Sequence, residues 1–366
     1  MATTNTDTLG VGVVGCGVIG RKHLDAIDHS PLVTAFAVAD LNTDAAREAA
    51  EKHGVGGVYG DADNLIADGA VDIVVLAMPV KGRAAVAKKA FAAGKHVLLE
   101  KPAAMNGDEL REIIAARDDA ADAAGRPVLG ASCSSRHRFL ASAKRAAEEL
   151  AAGTLGPLRV LRARAAKPTG EPPKTPPPVW RVRKDLNAGG IMSNWGVYDL
   201  DYLLGLCGWR LRPKVALANV WPVSDRFDHQ VAEGSNAETQ VAALIRCEGG
   251  EVILLDRGEF VPAEAEDAWA IVGEHASLRL PLKPGKGSQL VLDRGDRETG
   301  VTREVLYEGD ETWDTVHFGP IHDLAEAVNE GRPPATALEH ALQITTITDA
   351  IYRSAETGAA ADVMLD

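Results

Sequence analysis

The sequence holds little that would tie it to a membrane or to nucleic acid. No apolar run approaches the roughly 18 residues of a membrane span. Residues 1–8 carry neither the positive nor the apolar stretch of a secretory signal, so a cytoplasmic protein is expected. Positive charge is in deficit: 39 Lys and Arg stand against 52 Asp and Glu, a formal net charge of −13. Such a field repels phosphate-rich polymers and anionic lipid, though a small anionic cofactor can still be held by local backbone donors. Cysteine is scarce. The four, Cys16, Cys133, Cys207 and Cys247, lie far apart in sequence and form no pair with metal-ligand spacing. His and carboxylate residues do not cluster at such spacing either, so no metal is expected and the thiols read as reduced and mostly buried. Internal repeats and long low-complexity tracts are also missing.

What is there fits an ordinary globular protein, 46% apolar and 25% charged. At 366 residues the chain exceeds the size at which one core keeps growing, so two domains are expected. In the first 130 residues, short apolar runs at 9–15, 33–39, 71–77, 95–99 and 127–131 alternate with helix-forming stretches at 18–28, 43–53, 82–93 and 106–124. Strands separated by helical crossovers imply a doubly wound parallel sheet with both faces covered, an α/β Rossmann domain over 1–130. Beyond it the pattern changes. A helix is expected at 139–152 and a strand at 157–167, followed by a proline-rich stretch from Pro168 to Pro178 that suits neither element. After a helix at 190–206, β-like runs follow one another at 213–220, 237–246, 250–257, 268–272 and 276–280. They predict a second, α+β domain over 131–366 with a large, open, mostly antiparallel sheet across 213–310. Helices return at 320–330 and 337–356, and these closing helices can pack back on the first domain.

The segment Gly15-Cys-Gly-Val-Ile-Gly20 matches the dinucleotide pattern G-x-G-x-x-G. Alone the pattern is weak; between an apolar strand and a helix-like stretch it is specific. Gly15 allows the tight turn, Gly17 lets backbone approach the pyrophosphate, and Gly20 lets helix pack on strand. With Val18 and Ile19 they open a helix whose free N–H groups and dipole favour phosphate. Asp40 ends the second strand twenty positions after Gly20. Its carboxylate suits ribose hydroxyls and repels a 2′-phosphate, and the next residue, Leu41, supplies no cation, so NAD is favoured over NADP. As a helix cap, Asp40 is less suited than Asn42 or Thr43.

The fifth strand ends in Glu100-Lys101-Pro102. A lysine at the carboxyl end of a parallel strand points into the crevice where such folds bind ligands. This motif resembles the Glu-Lys-Pro signature of the glucose–fructose oxidoreductase/inositol dehydrogenase (Gfo/Idh/MocA) family. The resemblance runs along most of the chain: Arg126 to Phe139, Ala152-Gly-Thr-Leu-Gly-Pro-Leu158, Trp180-Arg181, and the tail from Phe318 to Ser354. It implies that Lys101 lies beside nicotinamide and substrate hydroxyl, and that the nicotinamide sits near Ala77, Met78, Pro79, Glu100, Lys101 and Pro102. It also implies a homodimer or homotetramer built through the second sheet, whose outer face needs cover.

In Gly189-Gly-Ile-Met-Ser-Asn-Trp-Gly-Val-Tyr-Asp-Leu-Asp201 the family pattern places an acid, a histidine four residues on and an acid three beyond. This chain has Asn194, Tyr198 and Asp201, which a helix would align on one face. Tyrosine at this place resembles the glucose–fructose oxidoreductase branch. A free tyrosine has a pKa of about 10 and needs a neighbouring cation to serve as a base near neutrality; Lys101 could supply it, or be the base itself. Asn194 cannot titrate and would orient substrate or Tyr198. Arg181, Trp180, Asp201 and Lys101 would bind the substrate. The expected reaction moves a hydride between NAD and a secondary hydroxyl or keto group of a sugar, glycoside or cyclitol, with Lys101 and Tyr198 as acid–base pair and Asn194 beside them. Two alternatives stay open: tightly held, internally recycled NAD serving oxidoreduction, epimerisation or glycoside cleavage, and a non-catalytic NAD-binding regulator. His23, His96, His137, His229 and His322 read as structural.

Overall fold

Mostly apolar runs of three to seven residues at the head of the chain form the strands of a parallel sheet. In the computed structural model, which describes residues 8–175 and 177–365, they are β1 (Leu9–Val14), β2 (Val33–Ala39), β3 (Gly57–Tyr59), β4 (Ile73–Leu76), β5 (His96–Leu99) and β6 (Gly130–Ser132). Between them run α1 (Val18–His29), α2 (Thr43–His53), α3 (Ala62–Ala67), α4 (Arg83–Ala92) and α5 (Gly107–Ala124). Every pair is parallel and the order is β3-β2-β1-β4-β5-β6. The order reverses between β1 and β4, the switch point at which doubly wound sheets open a crevice beyond their strand ends. The four residues of β4 and of β5 are all buried, as crossover helices on both faces require. One core layer joins Leu65, Leu76, Phe91, Leu99 and Ile113; the other joins Val11, Leu24, Ile27, Val75 and Leu98.

This first compact unit comprises Met1–Arg136 and, from far along the chain, Asp314–Leu342. The returning segment holds most of α9 (Trp313–Glu330) and the start of α10 (Leu338–Thr357). Ile321 and Leu324 enter one core layer and Leu338 the other, while the Ser132 N–H donates to the Thr336 carbonyl at 2.8 Å.

The second unit comprises His137–Trp313 and Gln343–Asp366. Its helices are α6 (Ala141–Ala151), α7 (Lys184–Asn187), α8 (Val197–Leu206) and the greater part of α10. Its strands are β7 (Leu158–Pro168), β8 (Pro213–Pro222), β9 (Glu238–Cys247), β10 (Val252–Val261), β11 (Glu266–Gly273), β12 (Ala276–Leu280), β13 (Ser288–Asp296), β14 (Gly300–Gly309) and β15 (Ala361–Asp362). They form one sheet in the order β14-β13-β12-β11-β7-β10-β9-β8-β15, antiparallel except where β7 lies beside β10. Burial alternates along β7 and β9, the signature of a sheet with one face on the core. The expected architecture, a parallel Rossmann sheet followed by a large and mostly antiparallel one, is the architecture observed.

Candidate functional site

The turn after β1 is shaped by close approach. Gly15 has φ +96°, and a Cβ there would sit 2.8 Å from the Ala77 carbonyl oxygen; a Cβ on Gly20 would sit 1.8 Å from the Gly15 carbonyl oxygen. Helix α1 therefore begins tight against β1 and β4, and no side chain larger than hydrogen fits at either contact. Above Gly17 a Cβ would meet nothing within 4 Å. The helix start carries no side-chain cap, so its first N–H groups remain for an anion. Val18 and Leu41 stand 87% and 90% exposed on the flanks of this turn. Apolar side chains so placed suit the edges of a flat ring.

Asp40 is locked in place by the backbone around it. Its Oδ2 accepts from the Cys16 N–H at 2.7 Å and its Oδ1 from the Asn42 N–H at 2.8 Å. Each oxygen keeps a lone pair for a ribose hydroxyl. Helix α2 is capped by Asn42, whose Oδ1 accepts from the Asp44 and Ala45 N–H groups, which leaves Asp40 outside the capping role. These residues fit a dinucleotide: an open phosphate cradle and a fixed carboxylate that makes no ion pair among the described residues.

The Lys101 end of the crevice is held from beneath by a buried polar network. Glu100, 3% exposed, accepts from Arg136 and from the Lys101 N–H at 3.0 Å, and its Oε1 lies 2.9 Å from His23 Nε2. Burial by itself would raise the Glu100 carboxyl, but the Arg136 and His23 contacts, with Lys101, hold it well below the usual carboxylate range. Arg136 also donates to His317 Nδ1 at 2.9 Å and to the Cys133 carbonyl. Burial and the Arg136 charge push His317 down to about 4, so its ring stays neutral and can accept. The Glu100 side chain thus faces into the protein, supporting Lys101 from within. Across the crevice edge, Ala77 and Met78 are half-buried and Pro79 exposed, while Pro102 is buried.

Spacing in the sequence gave no metal-like cluster, yet folding brings ligand atoms of His23, Glu100 and Cys133 within 4.8 Å of one another. Arg136 already supplies the positive charge on that carboxylate, and burial pushes the Cys133 thiol far up, away from the thiolate a metal needs. The trio therefore suits a hydrogen-bond network better than a cation.

In the second unit the signature segment forms a π-helical turn at Met192–Gly196 before α8. π-turns recur at functional sites and need outside support. Here Glu238, at the start of β9, supplies it. Its Oε1 accepts from the Gly190 N–H at 2.9 Å, the Met192 N–H at 3.0 Å and the Tyr352 hydroxyl at 2.8 Å. Burial raises the Glu238 carboxyl although Tyr352 and the backbone donors pull it down. The fit explains the Gly189-Gly190 pair: a Cβ on Gly189 would sit 1.8 Å from the Tyr352 hydroxyl, and one on Gly190 1.8 Å from the Glu238 carbonyl oxygen.

Asn194 spends its amide on the neighbouring loop. Nδ2 donates to the Arg181 and Gly190 carbonyls at 3.0 and 2.9 Å, and Oδ1 accepts from Asn187 Nδ2 at 3.3 Å. Tyr198 is buried, its ring edge-on to His137 at 4.7 Å and to Trp195 at 5.6 Å between centroids. Asp201 is buried and accepts from Arg138 Nε at 2.6 Å. Asp199 accepts from Arg257 Nε and Nη2 and from Trp269 Nε1, anchoring α8 on β10 and β11. Arg181 donates to Glu259 Oε2 at 3.1 Å and stays partly exposed beside exposed Trp180.

Reading the sequence missed Arg83, Arg136, Glu238, Tyr352 and the Asp199–Arg257 pair. Arg83 left one signal, a cation in the first turn of an Ala-rich helix, where the dipole opposes it. Glu238 left none, since its partners lie some 46 to 114 residues away.

Comparison with known proteins agrees with this geometry. Residues 9–124 match the model of an oxidoreductase family with an NAD-binding Rossmann fold, and residues 143–279 match the GFO/IDH/MocA C-terminal domain. The dTDP-3,4-didehydro-2,6-dideoxy-alpha-D-glucose 3-reductase of Streptomyces violaceoruber is 31% identical over 339 residues, covering 89% of this chain and 84% of that one. Myo-inositol 2-dehydrogenase of Thermotoga maritima is 24% identical over 329 residues, covering 90% and 91%. Among solved structures, levoglucosan dehydrogenase in complex with NADH and levoglucosan superposes with a TM-score of 0.83 at 22% identity, over 98% of this chain and all of that one (100%). An open helix start after a glycine turn, a carboxylate fixed by backbone N–H groups, a Glu-Lys-Pro strand end and both family domains in order lead to one assignment: the chain is an NAD-binding oxidoreductase of the GFO/IDH/MocA family.

Proposed function

We propose that the protein transfers a hydride between NAD and a secondary hydroxyl, or the corresponding keto group, of a sugar, glycoside or cyclitol. NAD, when bound, supplies the hydride chemistry; the chain supplies binding, orientation and proton transfer. Gly15, Gly17, Val18, Ile19 and Gly20 would hold its pyrophosphate, Asp40 and Leu41 its adenosine, and Ala77, Met78, Pro79, Lys101 and Pro102 its nicotinamide end. Glu100 would act on that end through Lys101. Tyr198 and Lys101 would serve as the acid–base pair, taking the hydroxyl proton during oxidation and returning it during reduction. Arg181 and Trp180 would meet the substrate's other hydroxyls. Asn194 and Asp201, whose polar atoms are already bonded, would keep that edge and Tyr198 in place.

The observation that carries this reading is the Lys101 backbone, fixed at the carboxyl end of β5 in the same sheet whose β1 end forms the phosphate cradle. The activities of the two relatives, on a deoxysugar and on a cyclitol, support the substrate class. The test is a panel of sugars, glycosides and cyclitols with NAD and NADP, followed by absorbance of the reduced nicotinamide. Turnover with NAD on at least one polyol is expected. Tyr198→Phe should then lower kcat by roughly 10²–10⁴-fold and leave NADH affinity near wild type. A near-normal kcat in that variant would move the proton to Lys101.

The outer face of the second sheet fits a second copy of the chain. Leu217 and Leu244 are exposed there, beside a cavity lined also by Arg162, Arg164, Leu254 and Asp256. Apolar centres flanked by both charge signs can pair with themselves around a two-fold axis. Light scattering after gel filtration should give a dimer or tetramer, and Leu244→Glu should lower its mass. Among the described residues no helix is long and apolar enough to cross a membrane. The four cysteines are free and buried, which supports a reducing, cytoplasmic setting.

A further inference from the structure

We propose that Arg83 is a positioning residue for the reaction, a buried guanidinium that brackets Lys101 by binding the carbonyl groups on either side of it. Nη1 donates to the Glu100 and Pro102 carbonyls, each at 2.5 Å, and Nη2 donates to the Met78 carbonyl. One side chain thus ties the loop after β5 to the loop after β4. The Lys101 N–H is held separately on Glu100. The backbone at Lys101 is therefore fastened before, at and after the residue, and this sets the direction in which a side chain with four rotatable bonds sets out.

The placement is costly unless it does something. Arg83 is 3% exposed and opens α4, where the helix dipole opposes a cation. Its acceptors among the described residues are backbone carbonyls, and its Nε is buried without one. Burial pushes its pKa down to about 10, so the charge persists at neutral pH. The following Ala84-Ala-Val-Ala87 shows what such a helix face otherwise selects. Alanine there would strand three carbonyl groups at the ends of β4 and β5.

This inference rests on the reading of Lys101 as a residue of the active site, and a double-mutant cycle separates the two. Wild type, R83M, R83K, K101M and R83M/K101M are compared with NAD and whichever of myo-inositol, levoglucosan and glucose the wild type oxidises fastest. R83M should lower kcat about 10–100-fold, the scale of a small misplacement of a reacting group, with NADH affinity by fluorescence within about threefold. R83K, which keeps the charge and can reach some of the carbonyls, should fall between R83M and wild type. R83M/K101M should be no slower than K101M, because Arg83 acts through Lys101. Hydrogen exchange of the peptide spanning Leu98 to Ala104 should quicken in R83M and stay unchanged around β1, without any substrate present. If R83M fails to fold, R83K carries the same tests. A K101M with little activity beside fully active R83M and R83K would overturn this inference alone. A fully active K101M would overturn the reading of Lys101 and this inference with it. Losses that multiply in the double variant would overturn the claim that Arg83 works through Lys101.

Discussion

The two units hold their polar groups with different materials. In the first, the crevice edge is mostly backbone: the Gly15–Gly20 turn, the open start of α1 and the carbonyls after β4 and β5. In the second, the π-turn and α8 are held mostly by side chains reaching across long sequence distances: Glu238 to Gly190 and Tyr352, Asp199 to Arg257 and Trp269. Backbone geometry is dictated by neighbours in sequence. Side-chain networks are dictated by the whole fold. The first unit should therefore tolerate loss of a single side chain with a local, functional effect, whereas the second should lose stability.

The sharpest way to break that contrast is Asp199→Asn. The carboxylate is fully buried and accepts from Arg257 Nε and Nη2 and from Trp269 Nε1 at 2.8 Å. Removing one partner of a buried pair leaves the other charge uncompensated, typically about 3–5 kcal/mol. Denaturant unfolding of the variant should show a loss of that order, with NADH affinity little changed. A variant as stable as wild type would mean that α8 is held by packing alone.

A second expectation runs against the contrast, because the first unit also buries a histidine. His96 Nδ1 accepts from the Leu129 N–H at 3.0 Å, so the ring must be neutral there. Burial, helped by the nearby Arg126, pushes its pKa down to about 4. Between about 6.5 and 4 the unfolded chain binds the proton and the folded chain does not. The stabilisation is therefore complete above the unfolded value and lost as pH falls through this window, by roughly 1.4 kcal/mol per unit of pKa difference and about 3 kcal/mol at most. His96→Asn, whose Oδ1 can accept in the same place, should flatten the stability–pH curve between pH 6.5 and 4. An unchanged slope would put the acid sensitivity on other groups, His317 first.

This division also explains what the sequence made legible. Strands β1, β2, β4 and β5 stand out as continuous apolar runs, and the capped, Ala-rich helices between them follow from local signals such as Asn42 and Gly54. β3 is three residues beside Gly56-Gly57 and α3 only six, too short to show a period. β14 is mostly exposed, so it carries no alternation, and it pairs with β13 through register alone. The cofactor turn was readable because its glycines are required by contacts within the turn and with β4. The π-turn was not: a helix from 190 to 206 was expected, and the departure comes from Glu238 drawing two backbone N–H groups onto one oxygen. For the same reason the partners of Asn194, the Arg181 and Gly190 carbonyls, were invisible in the sequence.

Asp40 and Asn42 give the finest test of the comparison, because two residues apart they do separate jobs on one loop. Asp40→Ser removes the carboxylate expected to accept from ribose hydroxyls. A hydrogen bond to a charged group contributes about 1.5–3 kcal/mol, so NAD should bind roughly 10–100-fold more weakly, with NADP improved relative to it. Isothermal titration with both cofactors measures this, and a wild type that prefers NADP would sink the assignment. Asn42→Ala removes the cap that accepts from the Asp44 and Ala45 N–H groups and should cost about 1 kcal/mol of stability. The alanine keeps its own N–H, which continues to hold Asp40 Oδ1, so NAD affinity should stay within about twofold of wild type. The smallest effect is thus the most discriminating. If Asn42→Ala weakened NAD as much as Asp40→Ser, the two residues would form one unit, with the cap setting the carboxylate. If it changed neither stability nor affinity, helix α2 would be held by its buried Ala46, Ala49 and Ala50 alone.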